Sequence, residues 1–148
     1  MEGKRFEDMQ VGDKFTTLAR TVTETDLVNF VALGGFYEEL FMNKEYAEKS
    51  LYKTRIAPGA LTFTIAEGLS IQTGILHNTG MAFLGLNMRI LAPTRVNDTL
   101  RVDIEVTEKR ETREPGRGIV TFTHTVRNQD DQAVMTYNVT RMIKRRGG

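Results

Sequence analysis

The sequence predicts an α+β fold in which one buried helix lies against a curved antiparallel sheet. Apolar residues at helical spacing occupy the first half of the chain, whereas after His77-Asn78-Thr79-Gly80 the apolar period switches to two. Between these halves, the apolar residues from Gly59 onward spread round most of a helix instead of forming one stripe, as a helix buried on nearly all sides requires. Helices gathered early and strands gathered late give the α+β class. With 148 residues, a single domain spanning 1–148 is expected, and a globule of that size buries roughly two thirds of its unfolded surface. No internal repeat, linker or low-complexity segment interrupts it.

Taken in order, Lys14 to Val22 reads as a strand ahead of the first helix. Thr23-Glu24-Thr25-Asp26 marks a helix start, with Thr23 as N-cap and Asp26 near the positive end of the dipole, and Leu27, Phe30 and Val31 follow at helical spacing until Gly34-Gly35. Asn43 caps a second short helix through Lys49, and Ser50 to Pro58 reads as loop. The buried helix starts at Gly59 and carries Leu61, Phe63, Ile65, Ala66, Leu69, Ile71, Ile75 and Leu76. Four strands then form a meander, Met81 to Leu91, Leu100 to Thr107, Gly118 to Asn128 and Ala133 to Ile143, separated by turn-rich segments. Arg141, Lys144, Arg145 and Arg146 read as a solvated basic end.

Composition narrows the function. Twenty Lys and Arg against 19 Asp and Glu give a net charge of +1, with no general attraction to nucleic acid or an anionic membrane. The absence of cysteine excludes disulfides, thiol nucleophiles and cysteine metal sites. The two histidines lack ligand spacing, so no metal is expected, and the glycines form no phosphate-cradling loop. The opening residues lack a signal-peptide core and no run of eighteen apolar residues occurs, so a soluble cytoplasmic protein is expected. The glycosylation patterns at Asn97 and Asn138 are discarded on that ground.

Phe30-Val31-Ala32-Leu33-Gly34-Gly35, Tyr46-Ala47-Glu48-Lys49-Ser50 and Arg55-Ile56-Ala57-Pro58-Gly59-Ala60-Leu61-Thr62, at ungapped spacing, resemble the signature region of the MaoC-like acyl-CoA hydratase family. Phe6 to Asp13 resembles that family's opening, and Phe83 to Pro93 its first meander strand. The resemblance implies a hot-dog fold, its sheet wrapped round the helix from Gly59. It also implies a homodimer or higher oligomer with acyl-CoA sites at the subunit interface, and a place in fatty acid metabolism without any cofactor beyond the acyl-CoA itself. A hetero-oligomer with an active homologue is the other assembly that such an interface allows.

Family members that hydrate 2-enoyl-CoA carry Gly-Asp-x-Asn-Pro-x-His, whose Asp and His activate a water by general acid–base chemistry. Here the stretch is Gly35-Phe36-Tyr37-Glu38-Glu39-Leu40-Phe41, so Phe36 and Phe41 occupy the catalytic positions and neither moves a proton. Asn43 replaces a frequent Asp, and Pro58 the His that commonly precedes the helix glycine. The backbone N–H of Gly59 is either a partner for a thioester carbonyl oxygen or simply part of a helix start needing no Cβ. Substrate contacts are expected from Gly59, Pro58, Phe36, Phe41 and Tyr37, the aromatics doubling as packing. Glu38 and Glu39 are the carboxylates left to act, unless they form a solvated surface. Glu67, on the buried helix, must be paired or neutral. His124 is expected as a hydrogen-bonded core residue and His77 as a loop residue near the helix's negative end. Lys53, Arg55, Arg89 and Arg95 are candidates for the CoA phosphates. Three functions stay open: a hydratase or dehydratase with a rearranged constellation, a thioesterase using a glutamate, and a non-catalytic acyl-CoA-binding or regulatory subunit.

Overall fold

In the computed structural model, which describes residues 1–147, a six-stranded antiparallel sheet packs one face against a single long helix. A 3₁₀ turn at Phe6–Asp8 precedes β1 (Lys14–Thr16) and β2 (Arg20–Thr21). Three helices follow, α1 (Glu24–Gly34), α2 (Glu39–Met42) and α3 (Lys44–Lys49), and then the long helix α4 (Gly59–Gln72). The remaining strands are β3 (Gly80–Ile90), β4 (Thr99–Glu111), β5 (Arg117–Arg127) and β6 (Ala133–Lys144).

The expected strand Lys14 to Val22 is broken in two. Thr17 exchanges its N–H with the Val102 carbonyl and accepts from the Val102 N–H through its own Oγ1, at 3.0 and 2.9 Å. A threonine side chain thus takes the place of a ladder carbonyl, and β1 and β2 pair separately along β4.

Helix α1 starts at the reciprocal cap, with Thr23 Oγ1 accepting from the Asp26 N–H and Asp26 Oδ2 accepting from the Thr23 N–H. It ends at Gly35, whose φ of 72° is left-handed. The one-turn α2 was not expected. Asn43 Oδ1 caps α3 through the Tyr46 N–H.

Helix α4 buries Leu61, Thr62, Ile65, Ala66 and Leu69. It stops at Gln72 and does not continue to Leu76, because Gly74 turns left-handed at φ 73° and Thr73 Oγ1 bonds back to the Ser70 carbonyl. Nor is it covered on nearly all sides: Ile71 is 74% exposed, and Ala60 and Thr64 face outward.

The strand order is β1-β4-β5-β6-β3. Strands β4, β5 and β6 form the expected meander, but β3 does not join it through β4. The other edge of β4 is taken by β1 and β2, and β3 crosses to pair with β6. Alternation on β4 buries Leu100, Val102, Ile104 and Val106; on β5 it buries Val120, Phe122, His124 and Val126. On β6, Met135, Tyr137, Val139, Arg141 and Ile143 share the face toward α4, although Arg141 is only partly buried. Strand β3 is an edge, and Met81, Phe83, Leu84, Leu86 and Ile90 along it remain exposed. Among the described residues, no helix is long and apolar enough to cross a membrane.

Candidate functional site

The start of α4 is held by neighbouring backbone. The Ala57 N–H donates to the Thr94 carbonyl at 2.8 Å, and Ile56 forms a bridge with Arg95. Pro58, buried, takes the N-cap position without any side-chain cap. The Gly59 N–H therefore lacks a backbone acceptor among the described residues. It sits beside a cavity of about 280 Å³ whose walls include Gly59, Thr62, Ile90, Pro93, Val134 and Met135. A Cβ at Gly59 would lie 2.4 Å from Ile90 Cδ1, the tip of an exposed side chain that would have to shift to admit it. An N–H without a backbone acceptor and a close approach of Ile90 thus meet at Gly59.

The segment 35–41 lies elsewhere. Phe36 packs on Phe30 at 5.1 Å between ring centroids, and Phe36 and Phe41 are partly buried against the core. Neither lines the Gly59 cavity. Tyr37 is exposed, as are Glu38 and Glu39. Glu38 Oε1 accepts from the Glu39 N–H at 3.4 Å and Glu39 Oε2 accepts from Asn43 Nδ2 at 2.6 Å, so both carboxylates are engaged at the ends of short helices. Of the expected substrate-contacting residues, the chain brings Pro58 and Gly59 together and leaves Phe36, Tyr37 and Phe41 apart from them.

The expected phosphate-binding cations are also dispersed. Arg55 pairs with Glu24. Arg89 stands opposite Thr136, on the sheet face turned away from α4. Arg95 adjoins Pro93 and Thr94 of the cavity wall, and Lys53 is exposed in the preceding loop.

A second polar group lies deeper. Arg141 Nη2 donates to both oxygens of Glu67, at 2.6 and 2.9 Å, and the Tyr137 hydroxyl donates to Glu67 Oε2 at 2.8 Å. The Glu67 and Arg141 side chains are only 14% and 15% exposed. Glu67 is therefore paired, as a carboxylate on that helix must be. Arg141, in contrast, is not part of a solvated tail, since its position in phase with Tyr137 and Val139 turns it under α4. Arg145 and Arg146 are engaged as well, with Glu7, Glu111 and Asp8. The period-two alternation of β6 contained the signal for Arg141, because a charge in phase with four apolar residues has to meet a partner.

His124 is 2% exposed, stacks on Tyr137 at 4.5 Å, and has Nδ1 3.3 Å from Ser70 Oγ. Burial, and then the positive charge of Arg141, lower its pKa to about 3, so the ring is neutral. Glu67 Oε2 lies 3.9 Å from that same Nδ1. A nucleophile–base–orienter relay needs the two partners on opposite ring nitrogens, so Ser70, His124 and Glu67 form no triad. Burial and the Glu67 carboxylate raise the Tyr137 phenol further above its ordinary range. His77 is exposed in the turn after α4.

A family model for the MaoC like domain matches residues 7–128. The chain belongs to that family. It is 36% identical over 112 residues to Protein MaoC of Klebsiella aerogenes, a match covering 74% of this chain but 32% of that protein, so the chain spans about a third of that relative's length. It is 32% identical over 103 residues to the (R)-specific enoyl-CoA hydratase of Rhodospirillum rubrum, with 69% of each chain covered. The solved structure of a monoamine oxidase regulatory protein from Archaeoglobus superposes with a TM-score of 0.91 at 32% identity, covering 98% of this chain and 97% of that one. The sheet laid against α4 in this MaoC-like chain is the hot-dog fold.

Proposed function

We propose that this MaoC-like chain binds an acyl-CoA thioester at the start of α4, with the carbonyl oxygen on the Gly59 N–H, and does not itself add water to it. The observation that carries the reading is the pairing of an open donor at the N-terminus of a 14-residue helix with a largely apolar cavity whose lining contains no carboxylate and no imidazole. Such a site polarises a thioester carbonyl but has no acid–base pair to position a water. The Rhodospirillum relative is named for action on an enoyl-CoA and another, from Methylorubrum extorquens, is a 3-hydroxybutyryl-CoA dehydratase; these names support a CoA thioester as the ligand class. The cap formed by Glu38 and the hydrogen bond from Asn43 to Glu39, both at exposed carboxylates, favour a solvated role over the glutamate-dependent hydratase and thioesterase readings. Arg95, next to Thr94 of the cavity wall, and Lys53, next to Tyr52 of it, are the cations proposed for the CoA phosphates. A cytoplasmic setting fits a chain without cysteine.

Assembly follows from β3. Its exposed Met81, Phe83, Leu84, Leu86 and Ile90 leave an apolar edge strand that a second copy covers. Ile90 and Leu91 are 60% and 54% exposed and also wall the Gly59 cavity, so a subunit on that edge completes the site. An active homologue at the same edge would supply the missing acid and base and is the second reading. Amide NMR tests the first: butyryl-CoA is expected to move the Gly59 N–H resonance, and an unmoved Gly59 signal at saturating ligand would remove the donor role.

A further inference from the structure

Helix α4 carries hydroxyls at Thr62, Thr64 and Ser70, and the last two are spent on the helix itself. Thr64 Oγ1 donates to the Ala60 carbonyl at 2.8 Å and Ser70 Oγ to the Ala66 carbonyl at 2.7 Å, each four residues back. Thr62 does not follow them. The carbonyl four residues before it, that of Pro58, already accepts the Leu61 and Thr62 N–H groups at 2.9 and 3.2 Å, which fills both of its lone pairs. Thr62 Oγ1 therefore makes no hydrogen bond among the described residues, although Thr62 is only 3% exposed. Nor is that hydroxyl sealed in the core, since among the described residues Thr79 Oγ1 alone is a fully buried side-chain polar atom without a partner. The space that Thr62 lines is the Gly59 cavity, so an unspent hydroxyl and an unspent backbone donor open on the same volume.

We infer that Thr62 is a substrate-binding residue, its hydroxyl being the second donor to the thioester carbonyl oxygen that accepts from the Gly59 N–H. This rests on the acyl-CoA reading above. Thr62 stands three residues beyond Gly59, about 4.5 Å of helix rise, and its Cα–Cβ bond leans back toward the helix N-terminus, which shortens that step. A carbonyl oxygen has two lone pairs, and one that leaves water for this cavity with Gly59 as its single donor loses half of its hydrogen bonding. A hydroxyl that rotates freely supplies the other half, and Thr62 is placed to do so without breaking any bond within the protein. Thr94 is the other buried threonine of the same wall. It belongs to the loop after β3, where no helix geometry leans its hydroxyl toward Gly59, and so it serves as the control.

The test is calorimetric titration of the intact protein with butyryl-CoA and with S-butyl-CoA, a thioether that has a methylene in place of the carbonyl. Thr62→Val keeps the side-chain shape and removes the hydroxyl. It is expected to weaken butyryl-CoA about three- to tenfold, the worth of one neutral hydrogen bond, and to leave S-butyl-CoA within about twofold. Thr62→Ser restores the hydroxyl and is expected to bring butyryl-CoA back to within about twofold of wild type, and Thr94→Val to leave both ligands unchanged. A side chain that only shaped the cavity would move both ligands together, so equal losses with thioester and thioether would overturn the assignment. A carbonyl-dependent loss in Thr94→Val with none in Thr62→Val would overturn it as well. Infrared spectra of butyryl-CoA isotope-labelled at the carbonyl add a readout independent of affinity: the bound carbonyl band is expected at lower frequency in wild type than in Thr62→Val, and one frequency in both proteins would contradict the second donor. Thr62→Ala carries the same comparisons if the valine variant does not fold. Failure of the acyl-CoA reading looks different, because then neither ligand binds the wild-type protein, and the role of Thr62 falls with it.

Discussion

Replacing Arg141 with methionine keeps an unbranched apolar stem under α4 but removes the charge that Glu67 faces. Arg141 Nη2 donates to both Glu67 oxygens at 2.6 and 2.9 Å, and with the side chains 14–15% exposed, water does not fully take its place. Only the Tyr137 hydroxyl, at 2.8 Å, remains as a donor. Breaking one side of a buried pair typically costs about 3–5 kcal/mol, because the other charge is left without compensation. A domain of this size loses roughly 2–4 °C of Tm per kcal/mol, so Arg141→Met is expected to lower Tm by about 6–20 °C. Glu67→Met with Arg141→Met removes both charges and is expected to recover most of that loss, leaving about 1 kcal/mol for the orphaned Tyr137 hydroxyl. Thermal and urea unfolding of the four proteins of this double-mutant cycle measure the coupling. If Arg141→Met alone shifted Tm by less than about 3 °C, or the double variant were destabilised by the sum of the singles, the pair would be solvated and its reading as a buried, mutually compensating pair would fail.

Three further outcomes are expected. His124, with a folded pKa of about 3 against an ordinary 6.5, stays neutral while the unfolded chain takes up a proton. Stability should therefore fall by up to about 1.4 kcal/mol per pH unit as pH drops below about 6.5. The carboxylates with lowered pKa, Asp8, Asp26 and Asp131 among them, add their own losses only nearer pH 4. Urea unfolding between pH 6.5 and 4.5 thus isolates His124, and a folded His124→Gln protein should show that slope flattened. Gly59→Ala sets helix propensity, worth up to about 1 kcal/mol in its favour, against the 2.4 Å encounter with Ile90 Cδ1. Little net change in Tm is expected, with at least a tenfold loss of butyryl-CoA affinity by calorimetry. Leu86→Lys places a charge on the exposed apolar edge and is expected to convert an associated form to single chains in sedimentation equilibrium, with Tm falling at low protein concentration.

Local chemistry made much of the fold legible. The Thr23–Asp26 cap, the glycine stop at Gly35, the Asn43 cap and the strict alternation of β4 each act within a few residues, and each appears where the sequence places it. What was not legible depended on partners far along the chain. Thr17 breaks the first strand because of Val102, β3 pairs with β6 because β4 is already occupied, and Arg141 turns inward to a carboxylate 74 residues away. The helix from Gly59 reads as buried all round, yet Ile71 is open, since apolar character alone does not specify which sides of a helix the sheet covers. The start of α4 at Gly59 could be read directly. The separation of Phe36 and Phe41 from the Gly59 cavity could not, because it is set by how α1 and α2 pack and not by spacing in the signature segment.

The proposed binding of acyl-CoA at Gly59 without water addition sets what products should be found. Mass spectrometry of the products after incubating the purified protein with crotonyl-CoA and longer enoyl- and acyl-CoAs, with binding measured on the same samples, tests it most directly. The thioesters are expected to bind and to be recovered unchanged. A bound enoyl thioester that gains the mass of one water, or releases free CoA, would show that other groups have replaced the dyad and would contradict the account.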